Sequence, residues 1–178
     1  MPDSKPFFRD RVARMSVLVV DPFFDFRQVL HAMLLNEIGV SVVQDARSVK
    51  VAMEMLKEKA FDLVIAETAM EPVGAIELTK LIRSASGGVD PKTPVIAVSG
   101  RPHLDDILAA RDAGVDEYLA KPLSAKILQL RIHSIVDHPR PFVCADAFIG
   151  PDRRRHGEEG FEGADRRREA PEIITREG

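Results

Sequence analysis

Four times between residues 15 and 114, a short aliphatic run rich in β-branched residues gives way to a stripe of apolar residues at helical spacing, and a fifth run and stripe follow by residue 138. Few folds accept that alternation. Ser16-Val17-Leu18-Val19-Val20 is followed by Phe26, Val29, Leu30, Met33 and Leu34 at i, i+3, i+4, i+7 and i+8, an amphipathic stripe that Gly39 stops. Val40 to Val43 leads into a helix with Val49, Ala52, Met53 and Leu56 on one face. The third run, Leu63 to Ala66, precedes a helix carrying Leu78, Leu81, Ile82 and Ala85 and a loop at residues 87–91. Pro94 opens the fourth run, Val95 to Val98, at a first position where a missing N–H is tolerated. Leu104, Ile107, Leu108 and Arg111 then mark a helix ended by Gly114. Glu117 to Ala120 and a helix with Leu128, Ile132 and Ile135 facing inward close the series. Strands that are apolar throughout belong in a parallel sheet covered on both faces, and regular alternation is what builds one. The pattern therefore predicts a doubly wound α/β domain of five βα units over residues 15–136.

A chain of 178 residues accommodates that domain with a full core plus extensions, here residues 1–14 and 137–178. His138-Pro139-Arg140-Pro141 marks the second boundary. The net charge of −3 divides as +2 over residues 1–14, −4 over 15–138 and −1 over 139–178. No segment is basic enough to imply nucleic-acid binding by charge alone. The apolar run Val17 to Val20 is far too short for a membrane span or the core of a signal peptide. The single cysteine, Cys144, has no Cys or His partner at metal-ligand spacing, which fits a reducing, cytoplasmic compartment. A small enzyme or nucleotide binder is disfavoured, because there is no Gly-rich phosphate loop and no nucleophile paired with a histidine.

Glu67 closes the third run, which places its carboxylate at the C-terminal edge of a parallel sheet, where open α/β folds put their chemistry. Four segments there, in order and in register, resemble the response-regulator receiver family. They are Val17-Leu18-Val19-Val20-Asp21; Phe61-Asp62-Leu63-Val64-Ile65-Ala66-Glu67 with Met70 beyond it; Thr93-Pro94-Val95-Ile96-Ala97-Val98-Ser99-Gly100; and Ala113-Gly114-Val115-Asp116-Glu117-Tyr118-Leu119-Ala120-Lys121-Pro122-Leu123. The resemblance covers Val17 to about Val136. It implies a flavodoxin-like sheet of order 2-1-3-4-5 and a role in two-component phosphorelay signalling. It also puts Glu67 at the phospho-acceptor position, Ser99, Tyr118 and Lys121 at switch and phosphate-site positions, and a cis peptide before Pro122.

The departures bear on chemistry. Where the family has two adjacent acids after its first strand, this chain has Asp21-Pro22, and where it has the acceptor aspartate, this chain has Glu67. Those acids and the acceptor together hold Mg²⁺ in the family, so Asp21 and Glu67 alone imply weak metal binding or none. Asp25, one turn further on, fits a helix-dipole role better than a ligand role. Glu71 replaces the proline usual after Met70, and Gly74-Ala75 replaces an Asp-Gly pair. Lys121, with no phosphoryl oxygens to hold, is expected to pair with Glu67 or Asp21.

The reading is a stand-alone atypical receiver, not an enzyme, that acts through protein contacts with its phospho-acceptor chemistry lost or impaired. Its rival is an active phospho-accepting receiver with weak metal binding. Partners implied by the resemblance are a histidine kinase, a phosphotransfer protein or a downstream effector, and a homodimer. The face built from the fourth helix, fifth strand and fifth helix of the repeat would serve them, with Arg101, His103, Arg111, Tyr118 and Lys126 as candidate contacts.

The largely irregular tail holds a repeat. Phe148-Ile149-Gly150-Pro151-Asp152-Arg153-Arg154-Arg155 recurs thirteen positions later as Phe161-Glu162-Gly163-Ala164-Asp165-Arg166-Arg167-Arg168. Phe148 and Phe161 are candidate docking anchors with arginine forks beside them. The interleaved Glu158, Glu159, Glu162 and Glu169 equally suit a solvated flexible segment, and they oppose nucleic-acid binding.

Overall fold

The computed structural model describes residues 5–145, 148–152 and 172–174. The second copy of the tail repeat, with Phe161, lies outside them. The elements are α1 (Lys5–Val12), β1 (Ser16–Val20), α2 (Phe24–Ala32), β2 (Val42–Ala46), α3 (Val49–Glu58), β3 (Leu63–Glu67), α4 (Ala75–Arg83), β4 (Val95–Ser99), α5 (Leu104–Ala113), β5 (Glu117–Ala120) and α6 (Ala125–Asp137). Three short strands follow, β6 (Phe142–Ala145), β7 (Phe148–Pro151) and β8 (Glu172–Ile174).

The five-stranded sheet has the order β2-β1-β3-β4-β5, all parallel, as the resemblance implied. Successive strand residues face opposite sides, and both sides are apolar. Leu18, Val20, Val64, Ala66, Val95 and Ala97 pack against α3, α4 and Ala110 of α5. Val17, Val19, Leu63, Ile65, Ile96 and Val98 pack against α2 and α6. The second run starts later than its sequence suggests. Gly39 takes a left-handed φ of +88°, which ends a π-helical continuation of α2 (Met33–Ile38). Val40 then packs in the core ahead of a strand that begins only at Val42.

The N-terminal extension contains α1. Phe8 and Val12, with Met15 beyond the helix, complete the core over Leu128, Ile132 and Val136, and Arg11 lies 3.6 Å from Asp137. The apolar stripe that marks α5 in sequence is not its buried side. Leu104, Ile107 and Leu108 are exposed, and the small Ala110 and Ala113 face inward.

The largely irregular tail carries strands that the sequence reading did not contain. β6 is the middle of an antiparallel sheet of order β7-β6-β8, with Cys144 opposite Ile149 on one side and Glu172 on the other. Phe142 is fully buried, so chain beyond the His138–Pro141 boundary packs on the domain. Among the described residues no helix is long and apolar enough to cross a membrane.

Candidate functional site

The carboxyl edges of β1 and β3 and the loop after β5 bring three charged side chains together. Asp21 follows β1, Glu67 ends β3, and Lys121 follows β5. Both carboxylates are buried, and Lys121 keeps a fifth of its side chain exposed. The Lys121 ammonium lies 2.6 Å from Glu67 Oε2 and 3.0 Å from Asp21 Oδ2. The remaining carboxylate oxygens are also engaged. Asp21 Oδ1 accepts the Phe23 N–H at 2.7 Å, the side-chain-to-backbone turn that starts α2. Glu67 Oε1 accepts the Ala69 N–H at 3.0 Å and the Thr68 hydroxyl at 3.2 Å. One ammonium against two carboxylates leaves the cluster net negative, in surroundings where ion–ion attraction is stronger than in water.

The peptide bond between Lys121 and Pro122 is cis, and so is that between Glu71 and Pro72, which the sequence reading did not include. Ser99 is buried at the end of β4, where its Oγ accepts the Arg101 N–H at 3.2 Å. No hydrogen bond among the described residues joins Ser99 to Glu67, so these positions adjoin without bonding. The Tyr118 ring packs against the core formed with α3, α4 and α5, and its hydroxyl is buried without a hydrogen-bond partner among the described residues. Asp25 is exposed in the first turn of α2. Arg101, His103, Arg111 and Lys126 are exposed, on the loop after β4, on α5 and on α6, with Arg111 beside Asp112. Phe148 lines a groove of this same chain with Ile149, Ile76, Ala109 and Ala113.

Sequence reasoning missed Thr68 and Phe26. The Lys121 ammonium sits 3.4 Å from the centroid of the Phe26 ring, a cation–π contact that covers the lysine. The apolar stripe of α2 already contained Phe26, but nothing local tied it to a residue 95 positions away. Phe26→Ala is expected to lower stability by roughly 1 kcal/mol or more. It should also speed modification of Lys121 by an amine reagent, whereas Phe26→Tyr should leave that rate near wild type. Peptide-resolved mass spectrometry after brief labelling checks both variants.

The resemblance implies a site that works with Mg²⁺. The donor set here fits that ion poorly, because Mg²⁺ demands near-octahedral oxygen coordination. Pro22 offers no carboxylate, and the four oxygens of Asp21 and Glu67 already accept from Lys121, Phe23, Thr68 and Ala69. Among the described residues no group of three or more His, Cys, Asp or Glu is placed to hold a metal.

A sheet of order β2-β1-β3-β4-β5 with two carboxylates and a lysine gathered at its carboxyl edge defines a signalling module of the receiver type. The family model for the response regulator receiver domain matches residues 17–133, and the chain belongs to that family. It is 30% identical over 123 residues to chemotaxis protein CheY-3 of Vibrio cholerae, covering 69% of this chain and 92% of that one. A two-component response regulator from Clostridium difficile superposes with a TM-score of 0.62 at 25% identity, over 70% of this chain and 98% of that one. The beryllofluoride-activated NtrC4 receiver domain, solved as a dimer, gives a TM-score of 0.62 at 26% identity, over 70% and 98%.

Proposed function

We propose that this chain is an atypical receiver that works in phosphorelay signalling through protein contacts, with its phospho-accepting chemistry lost or impaired. The observation that carries this reading is the ion pair between Glu67 and Lys121 at 2.6 Å. Phosphoryl transfer to a carboxylate depends on in-line positioning and on charge neutralisation by a metal and a lysine. Glu67 reaches one methylene further than an aspartate, and both its oxygens are held, by Lys121 on one side and by Thr68 and Ala69 on the other. The lysine that would meet an incoming phosphoryl group is already neutralised. Binding Mg²⁺ would require breaking these contacts, so metal affinity is weak. Glu67 thus supplies permanently a negative charge that phosphorylation would supply on demand, and the inward packing of Tyr118 agrees with a pocket fixed in one state.

The contacts that carry the signal lie on the face of α5, β5 and α6. Leu104, Ile107, Leu108, Ile127 and Leu130 are exposed there, alongside Arg101, His103, Arg111 and Lys126. Apolar side chains ringed by charge suit a protein partner, such as a kinase, a phosphotransfer protein, an effector or a second copy of the chain.

Incubation with phosphoramidate and Mg²⁺, followed by intact mass spectrometry, tests the chemistry. The expected result is no added mass. A stable gain of one phosphoryl group mapped to Glu67 would replace this reading with that of an active receiver.

A further inference from the structure

The family match ends at residue 133, yet the chain goes on to build a small sheet against the opposite end of the domain from the Glu67 pocket. We infer that residues 139–145 and 148–152 are an intramolecular clamp that holds the C-terminal end of α5 and so sets the position of the α5 surface. This rests on contacts outside the pocket and stands whether or not Glu67 is inert.

The anchor is Arg83, the last residue of α4, which is almost fully buried. Its guanidinium donates to the carbonyls of Pro91, Thr93 and Gly114 and to Asp116 Oδ2, at 2.6 to 3.0 Å. One side chain thereby ties the end of α4 to the entries of β4 and β5 and to the exit of α5. Two contacts among the described residues tie the tail to this junction. The Phe142 ring packs 5.5 Å from the Arg83 guanidinium, and Arg140 donates to the Asp116 carbonyl. Arg140 also donates to the Asp152 carbonyl at 3.3 Å, and the Asp152 N–H donates to the Pro141 carbonyl at 2.7 Å, which closes the hairpin on itself.

From that anchor β7 reaches α5. Gly114 ends α5 with a φ of +89°, and a Cβ on it would lie 2.9 Å from the Ile149 carbonyl oxygen and 3.3 Å from the Gly150 Cα. A Cβ on Gly150 would lie 2.9 Å from the Gly114 Cα. Two backbones meet there at close range, with Arg83 Nε 3.2 Å from the Gly114 Cβ position and the Phe148 ring 2.8 Å from that of Gly150. Phe148 and Ile149 flank the groove of about 480 Å³ whose α5 wall is Ala109, Asp112 and Ala113. The other end of α5 is held less firmly. Its N-cap, His103, makes no side-chain cap hydrogen bond, and Leu104 is 70% exposed. That end leads directly from Ser99 through the loop at Arg101. A helix pinned at one end and loose at the other transmits the state of its pin, and elements that move are drawn from the weakly held parts of a fold.

Hydrogen exchange of the full chain tests the clamp, with Gly150→Val to wedge the hairpin off Gly114 and Arg140→Ala to release the Asp116 carbonyl. The expected result is exchange about tenfold faster across residues 104–113 in Gly150→Val, with β1 and β3 unchanged. Arg140→Ala should change the same peptides in the same direction by less. Unchanged α5 exchange in a variant whose residues 142–151 exchange freely would overturn the proposal. So would uniform loss of protection in both variants, which would make the segment an ordinary part of one cooperative core. Phosphoramidate labelling of the same variants keeps this test separate from the reading of Glu67, because the clamp predicts the exchange pattern whatever the labelling result.

Discussion

Arg83→Met is expected to lower the unfolding free energy by about 4 kcal/mol, because removing one partner of a buried ion pair leaves the other charged and unpaired. Asp116 would be that charge, with the Val95 N–H among its remaining partners. The carbonyls of Pro91, Thr93 and Gly114 would lose donors as well. For a domain of this size the melting temperature should fall by roughly 8–16 °C. Arg83→Lys should lie between, since an ammonium keeps the charge and loses the fork that reaches several carbonyls at once. Arg83→Met combined with Asp116→Asn should recover part of the loss, because the stranded charge goes with its partner. Denaturant titrations of the four proteins decide it. An Arg83→Met chain within about 1 kcal/mol of wild type would show that surrounding water or relaxation compensates the junction.

Restoring the missing chemistry should be equally visible. Glu67→Asp shortens the acceptor by one methylene and draws it back from Lys121, and Pro22→Asp returns the second acid beside Asp21. The two together should let phosphoramidate and Mg²⁺ load one phosphoryl group. The rate should be at least about 100-fold above the wild type, the scale on which a displacement near 1 Å suppresses such reactions. Glu67→Asp alone should gain less, since the metal donors stay incomplete. Intact mass spectrometry with a time course reads the rates. A double variant as inert as the wild type would place the block elsewhere, for instance in the Phe26 ring over Lys121.

The five βα units were legible because four of the strands are short runs with β-branched residues, the fifth falls in register after them, and the helices repeat their apolar residues at helical spacing. The same rule misled on α5. Leu104, Ile107 and Leu108 make a regular stripe, but α5 packs close to the sheet through Ala110 and Ala113, which leaves larger residues outside. The pocket was legible from four motifs in order, and Lys121 does lie between Asp21 and Glu67. The partners of the second glutamate oxygen, Thr68 and Ala69, and of the Ser99 hydroxyl, the Arg101 N–H, were not legible, because they lie in the loops that follow the strands. In α1 the signal was present and unread, with Phe8, Val12 and Met15 at i, i+4 and i+7. The tail gave weaker signs. Strands of three or four residues have little periodicity, and the residue that Phe142 packs on, Arg83, is an ordinary C-terminal helix cation by sequence.

Cys144 lies half-buried on the central strand of the small sheet, between Ile149 and Glu172, and the chain has no other thiol. A thiol reagent in excess therefore reacts at one place only, at a rate that rises as those strands part and uncover the rest of the side chain. The protein thus contains its own clock for the opening of its C-terminal sheet. That clock can be read on the unaltered sequence, and any partner that grips the sheet slows it while any partner that pulls it away makes it run faster.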